Sequence, residues 1–271
     1  MTKHIKHKIH TLHNILAGIY NKYFFVYCKF RFPNSFISKY SSSISENIAG
    51  QKIDRVVYCF WTGTNELSVN RRLALKSMKD FLGVNVKLIT IENLSDYILP
   101  EDPLPECYPY LSDVHKSDYL RTYFMYHFGG GYSDIKFHNQ SWKVSFEELE
   151  NSNAYIVGYP EVGPDGVATP NDNETCLALK KHWKLLIGNG AYICRPYTRF
   201  TEEWYKETKN RVLALSEELK AHPAKDPYGT NDDYPVKWTH ILGDVFHPLC
   251  LKYHRRIIQD SNLLHMNCEY R

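Results

Sequence analysis

Short runs of β-branched and aromatic residues alternate with amphipathic segments through most of the 271-residue chain. Apolar or alternating patterns predict buried strands at 53–60, 84–91, 132–137, 154–159 and 190–194. Apolar residues at helical spacing predict helices over 70–82, 118–128 and 200–220. Strands that alternate with helices are typical of a mostly parallel sheet with helices on its faces, so the sequence predicts an α/β fold.

The first 45 residues differ in charge from the rest of the chain. They contain seven Lys and Arg residues and no acid, although the net charge of the whole chain is only +3. Apolar residues at helical spacing predict a basic amphipathic helix over 1–31, and the Ser-rich stretch 33–50 predicts a linker. We therefore expect an N-terminal extension and linker over 1–50 and one folded domain over 51–271.

This extension has two interpretations: peripheral contact with an anionic membrane surface or with a partner, or packing on its own domain. Histidines recur at His4, His7, His10 and His13, but such a row lacks the partners that usually orient metal ligands. The mild net charge argues against nucleic acid as a partner.

The seven cysteines are scattered and never spaced as CxxC, which predicts neither a zinc site nor a disulfide framework. We interpret them as reduced residues of a cytoplasmic protein. No run reaches the roughly 18–20 apolar residues that span a bilayer. The expected location is therefore the cytoplasm, with the membrane surface as a peripheral site.

Residues 117–136 read SDYLRTYFMYHFGGGYSDIK, and they combine a helix, a glycine turn and a strand. Asp118 and Arg121 are one helical turn apart, so their side chains share a face. The glycines 129–131 can end the helix with positive φ, and Asp134 follows at once. The stretch lacks the GK[ST] ending of a phosphate-binding loop, and its helix precedes the glycines, unlike a dinucleotide fingerprint.

Polar and aromatic residues also follow the first predicted strand, in the order Phe60, Trp61, Thr62, Gly63. Ligands bind at the carboxyl ends of strands in open α/β sheets. Trp61 could therefore stack a nucleobase, and the alternative is a buried tryptophan before a tight turn.

The stretch KSDYLRTYFMYHFGGGYSDIK resembles the signature region of the DXD-type glycosyltransferases of family 32, a group that includes capsular polysaccharide synthesis proteins. VVYCFWTG upstream and GNGA at 188–191 resemble flanking strands of that family. The resemblance implies a single GT-A-like domain that transfers a sugar, with retention, from a UDP- or GDP-sugar to a hydroxyl of a glycan acceptor.

The resemblance also implies site residues. Contacts with the nucleotide-sugar are expected from Trp61, Thr62, Gly63, Asp118, Arg121, Gly131, Ser133, Asp134 and Asn189. Asp134 and Lys136 are the expected catalytic residues, and Asp134 is the expected ligand of Mn²⁺ or Mg²⁺.

Lys136 departs from the family pattern, which has a second Asp at this position. An ammonium has no lone pair and cannot bind a metal. Three interpretations stay open. Lys136 supplies the positive charge in place of the metal; or Asp134 keeps the metal with help from His240 or His247; or catalysis is lost and the protein only binds nucleotide-sugar.

Acidic residues in two polar loops complete the candidates. Glu161 is the expected protein carboxylate near the acceptor, and Asp165, Asp232 and Asp233 are alternatives, although loop acids are usually only solvated. Tyr234 and Trp238 could stack a sugar ring, and for Trp238 the favoured interpretation is packing in the core.

Overall fold

The computed structural model describes residues 25–40 and 48–266 of the chain. In this part, one six-stranded sheet contains β1 Val56–Trp61, β2 Asn85–Thr90, β3 Gly130–Ser133, β4 Ile156–Pro160, β5 Ile187–Cys194 and β6 Ile257–Gln259. The strand order is β2-β1-β3-β5-β4-β6. β1 is parallel to β2 and β3, and β4 is parallel to β6, whereas β5 is antiparallel to both β3 and β4.

Seven α-helices accompany the sheet in the described part of the chain. They are α1 Val69–Phe81, α2 Asp113–His127, α3 Lys143–Asn151, α4 Asn173–Lys181, α5 Arg199–Ala214, α6 Ser216–Ala221 and α7 Gly243–Lys252. Together with the mostly parallel sheet, they confirm the predicted α/β class.

The alternation of side chains along β1 shows how the core is divided. Val57 and Cys59 join a cluster with residues of α1 and α3, whereas Tyr58 and Phe60 join a larger cluster with residues of α2, α5 and α7. Successive residues of a strand point to opposite faces, so helices cover both faces of the sheet.

The structure differs from the prediction in several elements. The predicted helix over 200–220 breaks near Leu215 into α5 and α6. Helices α3, α4 and α7 and the short strand β6 were not predicted. The predicted strand over 132–137 is instead Gly130–Ser133, so Asp134 lies just beyond its carboxyl end.

Part of the predicted extension packs on the domain. Phe32, Phe36 and Ile37 are buried in the larger cluster. The Lys252 ammonium, which pairs with Glu203 at 2.7 Å, also donates to the carbonyl of Tyr40 at 3.2 Å. The hydrophobic core therefore begins well before the predicted boundary at residue 51. The predicted helix over 1–31 lies largely outside the described residues.

No helix in the described ranges is both long enough and apolar enough to cross a bilayer. The cysteines described, Cys28, Cys59, Cys107, Cys176, Cys194 and Cys250, are all unpaired.

Candidate active site

A cleft of about 330 Å³ opens at the carboxyl ends of β1 and β3. The chain leaves β1 to form β2 on one side and returns to form β3 on the other side, so the cleft lies where the strand order reverses. Ligands of open α/β sheets bind at such switch points. The cleft is lined by Phe60, Trp61, Thr62, Gly63, Asn65, Arg71, Asp113, Val114, Ser117, Arg121, Tyr132, Asp134, Ile135, Lys136, Pro227, Tyr228 and Trp238.

Helix α2 carries Arg121 into this cleft. The helix begins after Ser112, whose side chain accepts from the amide of His115. About two and a half turns later, the Arg121 guanidinium lies 3.5 Å from Asp118, 3.1 Å from Asp134 and 3.1 Å from the carbonyl oxygen of Asn189. It also lies over the Tyr132 ring, 4.4 Å from the centroid. The three side chains Asp118, Arg121 and Asp134 therefore converge as predicted, but Asp118 does not line the cleft, contrary to its expected contact with the nucleotide-sugar.

The glycine turn brings Asp134 to Arg121. Gly129 and Gly130 have φ of +64° and +78°, a region that favours glycine. A Cβ on Gly129 would lie 2.4 Å from Pro196 Cδ, and one on Gly130 would lie 2.8 Å from the carbonyl oxygen of Val56. Both the backbone conformation and the close packing thus require glycine for the direct passage from α2 to β3.

Asp134 is held by cations on both oxygens. Oδ1 accepts from Arg121 at 3.1 Å and from the Tyr132 hydroxyl at 2.7 Å, and Oδ2 lies 3.2 Å from the Lys136 ammonium. Burial alone would raise the pKa of Asp134, but Arg121 and Lys136 outweigh it and lower the pKa to about 2. Asp134 is therefore ionised at neutral pH.

Asp118 lies behind Arg121 and is 2% exposed. Burial raises the pKa of Asp118 to about 7; Arg121 opposes this shift, and the nearby Asp134 adds to it. Two carboxylates that share one guanidinium thus differ in their protonation, because only one of them also faces Lys136 and Tyr132.

Lys136 has a second neighbour from the end of the described chain. Its ammonium lies 3.0 Å from Nε2 of His265, whose pKa is lowered to about 4 by burial and by Lys136. A neutral imidazole with Nε2 unprotonated accepts from the ammonium. The Lys136 ammonium therefore lies between the anionic carboxylate of Asp134 and the neutral imidazole of His265, and Lys136 lines the cleft.

A divalent cation does not fit the residues around Asp134. Both carboxylate oxygens already contact cationic groups, and the Lys136 ammonium, 3.2 Å from Oδ2, has no lone pair to offer a metal. The described residues contain no group of three or more His, Cys, Asp and Glu side chains arranged to hold a metal.

The two other candidate metal ligands lie apart from Asp134. His247 Nδ1 accepts from the amide of Ala168, and its Nε2 lies 3.5 Å from Glu161. His240 lines a separate cavity with Arg211 and Asp244.

The remaining predicted contacts divide into two groups. Trp61, Thr62 and Gly63 line the cleft as expected. Trp61 donates from Nε1 to the carbonyl of Asn65 at 2.6 Å, which orients the indole. Thr62 donates to the carbonyl of Asp113 at 2.6 Å and so joins the end of β1 to the start of α2.

Gly131, Ser133 and Asn189 do not line the cleft. A Cβ on Gly131 would meet Val57 and Trp142, on the face of the sheet that α1 and α3 cover. Ser133 is fully buried and bonds His138 Nε2 at 2.9 Å. Asn189 contributes its backbone carbonyl to Arg121 rather than a side chain to a ligand.

Glu161 is also absent from the cleft lining, contrary to the expected catalytic role. It is 8% exposed, accepts from the amide of Val162 at 2.8 Å and faces His247. Burial would raise the pKa of Glu161, but His247 and the Val162 amide outweigh it and lower the pKa. The carboxylate thus joins the loop after β4 to α7.

Sequence reasoning missed several cleft residues. Arg71, in the first turn of α1, donates to the carbonyl of Ile135 at 2.7 Å. Asp113 and Tyr228 also line the cleft, as does Trp238, for which stacking on a sugar ring is the less favoured interpretation of the sequence. The interpretation of Trp238 as a core residue is wrong, because it is 60% exposed. The loop that carries Trp238 is held at the start of α2 by Tyr234, whose Oη accepts from the Ser112 amide at 3.1 Å.

No protein-family model matches the chain, and no curated protein is significantly similar to it. Among solved structures, a similar chain is the PaToxG glycosyltransferase, with 13% identity and a TM-score of 0.39. The match covers 62% of this chain and 64% of that chain. At these values the likeness carries no argument about fold family or activity, and the resemblance to family 32 stays a prediction.

Proposed function

We propose that this protein is a glycosyltransferase that moves a sugar from a nucleotide-diphosphate sugar to a hydroxyl of a glycan or polysaccharide acceptor. The observation that carries the proposal is the cluster of Arg121, Asp134 and Lys136 in a cleft at the switch point of the sheet. Arg71 adds a third cation. Fixed cations that surround one carboxylate suit a ligand that carries both phosphates and hydroxyls.

The donor would use different parts of the cleft. Trp61 offers a ring to the nucleobase. Arg71, Arg121 and Lys136 offer charge to the diphosphate. Asp134 can accept from a sugar hydroxyl while it stays paired, because Oδ2, which lies 3.2 Å from the Lys136 ammonium, has a second lone pair.

The reaction is a transfer with retention. The bond between the anomeric carbon and the diphosphate oxygen breaks, and the acceptor oxygen bonds the same face of that carbon. The acceptor proton passes to the leaving diphosphate oxygen, so no strong protein base is required. Negative charge grows on the leaving group, where Arg121 and Lys136 stabilise it in a site already arranged for it.

We further propose that Lys136 supplies the positive charge that Mn²⁺ or Mg²⁺ would otherwise provide. The support is that Asp134 is engaged by cations on both oxygens. Lys136→Asp should then convert the enzyme to one that needs Mn²⁺. An identical response of wild type and variant to EDTA would overturn this part of the proposal.

A second candidate is a nucleotide-sugar-binding module without turnover. The ion pairs of Asp134 with Arg121 and Lys136 favour this second candidate, because they already engage the charged groups that catalysis would need. Such a module binds nucleotide and releases nothing from the donor.

The test is a panel of UDP- and GDP-sugars, each with EDTA and with Mn²⁺, followed by release of nucleoside diphosphate. We expect release from one donor in EDTA, and a loss of about 100-fold or more in Asp134→Ala. Glu217→Ala, at an exposed position of α6 outside the cleft, is the control and should keep wild-type activity. Binding without release would favour the module, and neither binding nor release would contradict both proposals.

A further inference from the structure

A basic surface lies beside the edge strand β6, where the described chain begins. Phe25 joins three segments there: its ring centroid lies 4.3 Å from that of His182 and 5.1 Å from that of His254. Its carbonyl oxygen also lies 3.1 Å from His254 Nε2. These contacts bring residues 25–31, the end of α4 and the end of α7 onto one surface, which we call the basic edge surface.

Exposed cations belong to each of the three segments. They are Lys29 and Arg31, Lys181 and Arg255. Burial, with Lys181, His254 and Arg31 nearby, lowers the pKa of His182 to about 4. Arg255 likewise contributes, after burial, to the lowered pKa of His254. The charged side chains that contribute to these two shifts, Lys181, Arg31 and Arg255, are all cations.

Apolar side chains project from the same surface. Phe30 is 82% exposed and Val26 is 57% exposed. Phe30 lies between Lys29 and Arg31 in the sequence, and the Lys29 ammonium is 5.3 Å from the Phe30 ring centroid. A large apolar side chain surrounded by cations suits an interface with anionic headgroups outside and hydrocarbon just below.

The 24 residues before Phe25 are attached at this surface. They contain Lys3, Lys6, Lys8 and Lys22 and no acid.

We propose that the basic edge surface is a docking site for an anionic lipid bilayer, which it contacts peripherally with Phe30 at the headgroup level. Lipid fits better than nucleic acid because the exposed Phe30 and Val26 gain from burial in hydrocarbon, whereas a phosphate backbone offers them no apolar partner. The proposal does not depend on the glycosyltransferase assignment.

The test uses the full-length protein and sedimentation with vesicles of phosphatidylcholine, with and without about 30% phosphatidylserine. We expect binding only to the anionic vesicles, and weaker binding as salt rises. Lys29→Glu/Arg31→Glu should reduce the affinity about 30-fold or more, since each cation near such a surface contributes about fivefold. Phe30→Ser should reduce it several-fold and leave the salt dependence unchanged.

A matched control carries the same charge change at the opposite edge of the sheet. Lys79→Glu/Lys143→Glu alters exposed cations beside β2 and should keep wild-type binding. All these positions are exposed, and a thermal melt checks that each variant folds.

Several results would overturn the proposal. One is equal binding to neutral and anionic vesicles, or an equal loss in the control. Another is full binding by Lys29→Glu/Arg31→Glu when Lys3→Glu/Lys6→Glu/Lys8→Glu abolishes it, which would assign the contact to the preceding segment alone. A third is binding to a duplex oligonucleotide, lost in Lys29→Glu/Arg31→Glu, without binding to vesicles.

Discussion

The two walls of the cleft are built in different ways. One wall takes Arg121, Asp134 and Lys136 from a single helix–turn–strand unit, and these side chains contact one another. The other wall takes Tyr228 and Trp238 from a distant loop, and they are 47% and 60% exposed. The first wall is a fixed arrangement of charge, whereas the second offers aromatic surface that a ligand can still cover.

Because of this difference, substitutions in the charged wall should change the stability of the protein, and substitutions in the aromatic wall should change its affinity for ligand. Side chains in the charged wall compensate one another's burial, so removal of one leaves another uncompensated. Side chains in the aromatic wall are exposed and contribute little to the stability of the free protein. Their replacement should therefore change ligand affinity rather than the free energy of unfolding.

Arg121→Met should give the largest effect on the charged wall. It removes the cation shared by Asp118 and Asp134, so unfolding free energy should fall by about 3 kcal/mol. Denaturant titration measures this loss, and Arg121→Lys should recover part of it. A variant as stable as wild type would show that the two carboxylates do not depend on Arg121.

Asp118→Asn should change how stability depends on pH. The pKa of Asp118 is raised to about 7 in the folded protein, above its ordinary value of 3.8. The folded state therefore holds the proton more tightly than the unfolded state. This contribution to stability is complete below about pH 4 and is lost as pH rises through about 7.

Asn mimics the neutral carboxyl at every pH. Denaturation between pH 5 and pH 8 should thus show a smaller loss of stability in Asp118→Asn than in wild type. Asp113→Asn, at the partly exposed mouth of the cleft, is the control and should keep the wild-type slope. Parallel slopes for wild type and Asp118→Asn would contradict the raised pKa.

Trp238→Ala tests the aromatic wall. Because the side chain is exposed, stability should change by only about 0.5 kcal/mol or less. Affinity for the donor or the acceptor should fall about 5- to 30-fold if the indole stacks on it. Calorimetric titration with each ligand measures this, with Tyr110→Ala as a control outside the cleft. Unchanged affinity for both ligands would remove Trp238 from the site.

His265 should have the smallest effect, because it acts through Lys136. His265→Leu removes the group that accepts from the ammonium, and we expect a several-fold lower kcat with little change in KM. His265→Gln offers an amide oxygen and should recover most of the activity. Equal losses in the two variants would indicate a structural role rather than positioning of Lys136.

The same contrast explains what the sequence could predict. Asp118, Arg121 and Asp134 are close along the chain, so helical spacing and the glycine turn suffice to bring them together. Arg71 reaches the cleft only through tertiary packing, and no local pattern distinguishes it from other surface residues. Trp238 also reaches the cleft through tertiary packing, so the sequence could suggest stacking on a sugar only as the less favoured interpretation.

Helix α7 escaped prediction for a related reason. Its sequence, GDVFHPLCLK, is buried on nearly all sides and contains Pro248, so it has neither a polar face nor an uninterrupted pattern. Glu161 looked catalytic because it follows a strand, but its partner His247 comes from that same unpredicted helix.

The proposal that Lys136 replaces a metal ion is tested most directly by calorimetric titration with a nucleoside diphosphate and the matching monophosphate, both in EDTA. We expect tighter binding of the diphosphate without metal, by about tenfold or more, since the second phosphate gains a charge-assisted contact. In Lys136→Met this difference should shrink to near unity. Equal affinities in wild type, or diphosphate binding only when Mn²⁺ is added, would contradict it.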